Sequence, residues 1–356
     1  MRTALAFLQT GPDVLTSVVA PLEPVVSPRL GFPAFFAPEF SMAGDGTSWL
    51  HVPTDAVKSV PCGAFARQYG VDRADRAQVA WGTPDEGRFA EGFRTLCERL
   101  ADGRLKKGVP VTVLRADLAP DEAWLLFAHA VGRIPLLPAG LYAYGFYRPA
   151  PESGGGAPEF LIGATPELLF DLQDGRRLST MAVAGTRQLD EGAESGALAG
   201  SVKDRAEHQS VVDDLLEQLA AWGAPSASDL ESRSYGRLEH LAVDIRLQSA
   251  EWLDFEAVAR RLHPTPALGV YPRGCEGQAW LSSIDPHGER KRFGAPFGLR
   301  WPTGSGRAVV AIRNLQYKDG QLEIWAGCGV VPQSRYEDEW QEVLDKIRAV
   351  RALWAV

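Results

Sequence analysis

The sequence predicts an α+β protein, with antiparallel sheets whose outer faces are covered by helices. Two observations carry this prediction. Strand-length apolar segments pair around turn residues, at 167–173 with 178–183 about Asp174-Gly175, and at 308–315 with 322–326 about Lys318-Asp319-Gly320. Among these hairpins lie segments whose apolar residues recur at helical spacing.

Taken in order, residues 1 to about 80 are rich in Pro, Gly and short apolar runs such as Leu30-Gly31-Phe32-Pro33, and read as strands and turns. Residues 86–103 read as a helix with Phe89, Phe93, Leu96 and Leu100 as its stripe and Gly103 as C-cap. From Leu105, a basic start at Lys106-Lys107 leads into a β-branched strand ending near Leu114. A helix follows at 121–132 and a strand at 141–147. A Gly-rich loop at 151–158 precedes another strand at 159–162. A long helix is predicted over 203–222, with Val211, Leu215, Leu219 and Trp222 on one face. In the last helix, Ser334 followed by Glu337 has the capping-box pattern, so the helix is expected to begin there. Its stripe is Val343, Ile347, Val350, Leu353 and Trp354.

Composition narrows the function classes. The 356 residues carry 37 Lys and Arg against 45 Asp and Glu, a net charge of -8, which argues against a nucleic-acid partner. Cys62, Cys97, Cys275 and Cys328 are scattered, with no C-x-x-C pair, so buried thiols in a reducing cytoplasm are expected. The first residues lack a convincing leader, and no apolar run reaches membrane-spanning length. There is no Walker loop, Rossmann fingerprint or G-x-S-x-G motif.

Several polar residues sit where apolar ones belong. On the last helix, Glu339, Glu342 and Lys346 project onto the apolar stripe. Such charges are costly to bury unless they bind something, although charges on an amphipathic helix ordinarily face water. Glu207 lies on the stripe of Val211, Leu215 and Leu219, either as a first-turn acid facing the helix dipole or as a third carboxylate of the same site. An oxygen-only set of this kind suits a hard cation such as Mg2+. Glu167, between Pro166 and an apolar strand, is a surface acid or a buried one with a raised pKa; by itself it reads as surface. Lys107 is a solvated lysine or a desolvated general base. Arg313, inside the apolar run Val309–Asn314, calls for a carboxylate partner. Gly327-Cys328-Gly329 permits close backbone approach to a ligand and is also a plain turn. His263 reads as structural.

Together these segments resemble the chorismate-utilising enzymes, which include isochorismate synthase, anthranilate synthase component I and salicylate synthase. The matching pieces are Gly103–Val111, Gly163–Leu169, Ala184–Arg187, Lys203–His208, His240-Leu241, His263–Gly269, Ala311–Arg313 and Ala326–Val330, with Glu339, Trp340, Gln341, Glu342 and Lys346. The resemblance covers roughly residues 85–356. It implies large facing antiparallel sheets in α/β/β/α layers. Residues 85–356 would be the catalytic core and 1–84 a strand-rich part of the same structural domain. Glu207, Glu339 and Glu342 would hold Mg2+, which grips the ring carboxylate of chorismate. Arg313, Gly327 and Lys346 would bind the enolpyruvyl carboxylate, with Gly185, Ala267 and Ile312 also lining the substrate. Lys107 would be the general base and Glu167 the general acid.

Within the family, Lys107 speaks against anthranilate synthase, so no glutaminase subunit is expected. Ala267 and Phe293 favour isochorismate over salicylate as the released product. The implied enzyme is a cytoplasmic monomer or homodimer serving menaquinone or siderophore synthesis. A salicylate synthase that releases pyruvate and a non-catalytic chorismate-binding paralogue are the alternatives. Val243 and Leu247 depart from the family pattern, and Val243 is expected to loosen the substrate pocket. Tyr336 stands where a proline is usual.

Overall fold

The computed structural model describes residues 4–29, 31–42, 48–71, 79–151, 156–188, 197–235 and 238–356. Leu30 and residues 152–155 of the Gly-rich loop expected at 151–158 lie outside these residues.

Alternating burial builds the first sheet. Its strands run in the order Val57–Pro61, Val14–Val19, Leu5–Gly11, Tyr142–Arg148, Glu159–Thr165, Asn314–Lys318, Gln321–Gly327 and Val111–Asp117. Neighbouring strands in this order pair antiparallel. Ala6 and Leu8 point to one face and Leu5 and Phe7 to the other, the period of two that a strand imposes. The second sheet follows the order Ser226–Ala227, Leu238–Gln248, Arg177–Gln188, Leu168–Gln173, Gly306–Val310, Pro296–Arg300, Ala34–Phe36, Trp49–His51 and Glu23–Val25. Glu231–Tyr235 also pairs with Leu238–Gln248.

The two sheets face each other. Leu8, Tyr144, Phe146 and Leu161 of the first pack with Phe35, Leu50, Phe297 and Val309 of the second. The helices are α1 (Cys62–Tyr69), α2 (Glu86–Ala101), α3 (Pro120–Arg133), α4 (Val202–Leu219), α5 (Phe255–Leu262), α6 (Cys275–Ile284) and α7 (Tyr336–Trp354). Residues of α1, α2, α3, α6 and α7 cover the outer face of the first sheet. Residues of α4 and α5 cover the second, where Val211, Leu215 and Val258 meet Leu172, Ile245 and Leu247. This is the layered α+β arrangement the sequence predicts.

Three local expectations are corrected. Helix α7 begins at Tyr336, not at Ser334, and its N-cap Arg335 makes no side-chain cap. Ser334 Oγ instead accepts from Val331 N at 3.1 Å, so its hydroxyl closes the preceding turn. The apolar run 308–315 is not one strand, because Gly306–Val310 belongs to the second sheet and Asn314–Lys318 to the first. Arg313, at φ 55°, makes the break, so the expected hairpin about Lys318-Asp319-Gly320 starts only at Asn314. The short helix α1 lies in a region read as strands and turns. The turn at Asp174-Gly175 is as expected, with both residues at positive φ (51° and 59°) between the paired residues Gln173 and Arg177.

Candidate active site

The site forms where the chain crosses between sheets and where α4 and α7 carry acids inward. A pocket opens there. Of the residues expected at the site, Glu167, Gly185, Glu207, Ala267, Ile312, Arg313, Gly327 and Lys346 line it. Lys107 lies directly behind Glu207 and Gly329: its ammonium is 3.0 Å from Glu207 Oε1 and its side chain is fully buried. Glu342 lines an adjoining mouth that also includes Lys346, Lys203 and Arg187. Glu339 lies beside that mouth with no exposed surface.

Local structure explains these positions. Lys107-Gly108 pairs with Val270-Tyr271 in a small ribbon that fixes the lysine backbone. A Cβ on Gly329 would fall 2.0 Å from Glu207 Oε1 and 2.7 Å from Lys107 Cε, so this chain position must be glycine for the pair to exist. A Cβ on Gly327 would meet Pro110 O at 2.6 Å, and the Gly327 carbonyl accepts from Lys346 Nζ at 2.8 Å. Gly185 (φ 72°) sits at a bulge in the pairing of Arg177–Gln188 with Leu238–Gln248.

The bulge has a chemical consequence that sequence reading missed. His240 Nδ1 lies 3.0 Å from the Gly185 carbonyl, which can only accept, so Nδ1 carries the proton. Nε2 is then a lone pair, and it accepts from Arg313 Nη2 at 2.7 Å. Burial, with Arg313 and Lys346 nearby, holds His240 well below the usual histidine range, which keeps it neutral for this role. Arg313 therefore has an imidazole rather than the expected carboxylate as its hydrogen-bond partner. Its left-handed backbone costs on the order of 1–3 kcal/mol, and several bonds hold the crossing in place. Tyr144 Oη donates to Ile312 O at 2.8 Å, Asn314 Nδ2 to Ala311 O at 2.7 Å, and Trp354 Nε1 to Arg313 O at 3.3 Å. Burial lowers the Arg313 pKa to about 10.

Glu167 is buried, not a surface acid. Burial raises its pKa to about 7, opposed by Lys107 and by a 3.4 Å bond from Thr265 Oγ1. Glu207 is the opposite case. Burial pushes its carboxyl up, but Lys107, Lys346 and Lys203 outweigh burial and hold it below the usual range. Glu342 is raised, first by burial and then by Glu207 and Glu339, although Lys346 Nζ stands 2.8 Å from Oε1. Lys203, which sequence reading did not single out, forms an ion pair with Glu339. The signal was present: Lys203 lies four residues before Glu207, on the same face of α4.

Val243 and Leu247 do not line the pocket. Both are buried in the apolar core beneath α4 and α5, which corrects the expectation that Val243 loosens the substrate site. Phe293 lines the pocket and stacks on Trp325, with ring centroids 6.4 Å apart. Tyr336 is away from the pocket, packed on Phe89 and Phe93. His263 is structural as expected, with Nε2 2.7 Å from Phe40 O.

Residues 66–352 match the family described as chorismate binding enzyme. The chain belongs to that family. Isochorismate synthase EntC of Escherichia coli K12 is 34% identical over 209 residues, 56% of this chain and 51% of that protein. The salicylate biosynthesis isochorismate synthase of Pseudomonas aeruginosa is 35% identical over 201 residues, 53% of this chain and 41% of that protein. This member of the family thus spans about half the length of these curated relatives or less. Among solved structures, a putative 2,3-dihydroxybenzoate-specific isochorismate synthase, DhbC, from Bacillus anthracis superposes with a TM-score of 0.77 at 20% identity. That match covers 99% of this chain and 96% of the other, and it shows a shared fold. Among the described residues, no helix is long and apolar enough to cross a membrane.

Proposed function

We propose that this chain is a Mg2+-dependent isochorismate synthase, which adds water at C2 of chorismate and expels the C4 hydroxyl. The observation that carries the reading is a pair of buried ionisable groups: Lys107, set behind the pocket residue Glu207, and the pocket carboxyl of Glu167, which burial raises to about 7.

The chemistry needs both groups. Water is a poor nucleophile, so Lys107 is assigned as the base that takes a proton from the attacking water. Hydroxide is a poor leaving group, so protonated Glu167 donates its proton as the C4–O bond breaks. One proton is gained by the lysine and one lost by the glutamic acid, and exchange with solvent restores both. Arg313, held rigid by His240, and Lys346 offer two cations for the enolpyruvyl carboxylate. Gly185, Gly327, Ala267 and Ile312 supply backbone and small or apolar surface against the ring.

The acids also suit a divalent ion. Glu207, Glu339 and Glu342 are an oxygen-only set, and Glu339 Oε2 is sealed from solvent without a hydrogen-bond partner, while Oε1 meets the Lys203 ammonium. As they stand, no three acidic, histidine or cysteine side chains among the described residues converge enough to hold a metal, and each of these three glutamates stands beside a lysine ammonium. When bound at these three glutamates, Mg2+ would supply a hard positive charge for the ring carboxylate.

Chromatography of chorismate incubated with the protein and Mg2+ tests the reading. A new isomer of unchanged mass, with no pyruvate in a lactate-dehydrogenase-coupled assay, is expected. No new product would refute it, and pyruvate release would move the chain to the salicylate-forming members.

A further inference from the structure

We infer that Lys203 is a built-in counter-ion for Glu339, one that a divalent cation must displace in order to bind. This rests on the proposed cation site and assigns a role to a residue outside it.

Three ammoniums answer three acids here, but they are not equivalent. Lys107 has no exposed side-chain surface, and its ribbon fixes it. Lys346 is bound twice, to Glu342 one turn before it and to the Gly327 carbonyl. Lys203 differs from Lys107 in being 27% exposed at the open mouth. It differs from Lys346, 24% exposed at the same mouth, in that its ammonium meets the fully buried Glu339 carboxylate without the backbone carbonyl that also holds Lys346. The long stem of Lys203 can therefore swing its charge back to water, which neither of the others can do without breaking other contacts.

The position of Lys203 is otherwise unfavourable. It is the second residue of α4, after the N-cap Ser201 whose side chain accepts from Asp204 N. A cation in the first turn opposes the helix dipole. What offsets this is the acid cluster, since its ammonium feels Glu339 first and Glu342 and Glu207 further off. A divalent ion shared by the same three acids would meet the same field and could not coexist with the ammonium in contact with Glu339. Without an ammonium or a metal, Glu339 would be an uncompensated buried charge. Lys203 thus keeps the acid cluster stable while empty and sets a threshold for cation binding.

Calorimetric titration of Mg2+ into the whole protein, without chorismate, reads this directly. Lys203→Met should tighten cation binding by roughly tenfold or more. The same variant should melt earlier than wild type in chelator and show a larger upward shift on adding Mg2+. Lys203→Arg keeps the charge and adds a forked grip on the carboxylate, so it should weaken cation binding. Equal or weaker Mg2+ affinity in Lys203→Met, or equally tightened binding in Lys203→Arg, would overturn the inference and leave the cation site intact. Absence of Mg2+ binding in wild type and Lys203→Met alike would instead remove the cation site, and the inference with it.

Discussion

Two buried regions of this molecule are filled on opposite principles. Between the sheets, Leu8, Phe35, Leu50, Phe146, Phe297 and Val309 pack apolar surface against apolar surface. Next to that layer, Lys107, Glu167, Glu207 and Glu339 are equally withdrawn from water and carry ionisable groups. The first region gains from leaving water, and the second pays for it. Only the first region explains why the chain folds. The second persists because each acid meets an ammonium or, for Glu167, because burial favours the neutral acid. Buried ion pairs of this kind add little net stability, so their presence marks function rather than folding.

The contrast can be broken from either side. The largest effect is expected at Glu167→Gln, which keeps shape and burial but removes the proton. Isochorismate formation followed by chromatography should fall by about 10²–10⁴-fold, with the denaturation midpoint nearly unchanged. The reverse pattern is expected of Phe297→Ala, whose ring packs on Phe35 and Tyr144. Chemical denaturation should show a loss of about 3–5 kcal/mol, while the protein that remains folded keeps its turnover number. An intermediate effect is expected at His240→Ala, which removes the acceptor that braces Arg313. The KM for chorismate should rise by roughly tenfold with a smaller change in kcat, since the guanidinium loses its fixed direction. The smallest effect is a pH trend. Because burial raises Glu167 to about 7, the protonated form is lost as pH rises through that value. Turnover should decline above neutrality, by roughly fivefold between pH 7 and pH 8, and residual Glu167→Gln activity should lack this limb.

Much of both regions was legible in the sequence, for reasons that can be named. The 168–188 hairpin was legible because Asp-Gly is what a turn with two positive φ values demands. Helix α4 was legible from its stripe, and Glu207 stood out because it shared that stripe. The break at Arg313 was hidden, because an apolar run looks the same whether it stays in one sheet or crosses to the other. Only the left-handed backbone reveals the crossing. The start of α7 was misplaced because Ser334 has two uses for its hydroxyl, and the turn at Val331 took it. The pairings Lys107 with Glu207 and Lys203 with Glu339 join residues far apart in the chain, so local pattern could not supply them. Glu167 read as a surface residue for the same reason: its burial depends on the His263–Gly269 segment folding over it, as the Thr265 bond shows.

The central claim is that a buried base and a buried acid exchange one hydroxyl of the ring for another taken from water. Turnover of chorismate in water enriched in oxygen-18, followed by mass spectrometry of the isomeric product, tests it most directly. The account predicts product carrying one heavy oxygen at the new hydroxyl position. An isomer formed at full rate with no label from solvent would contradict it, because the hydroxyl would then have migrated without any water for Lys107 to activate.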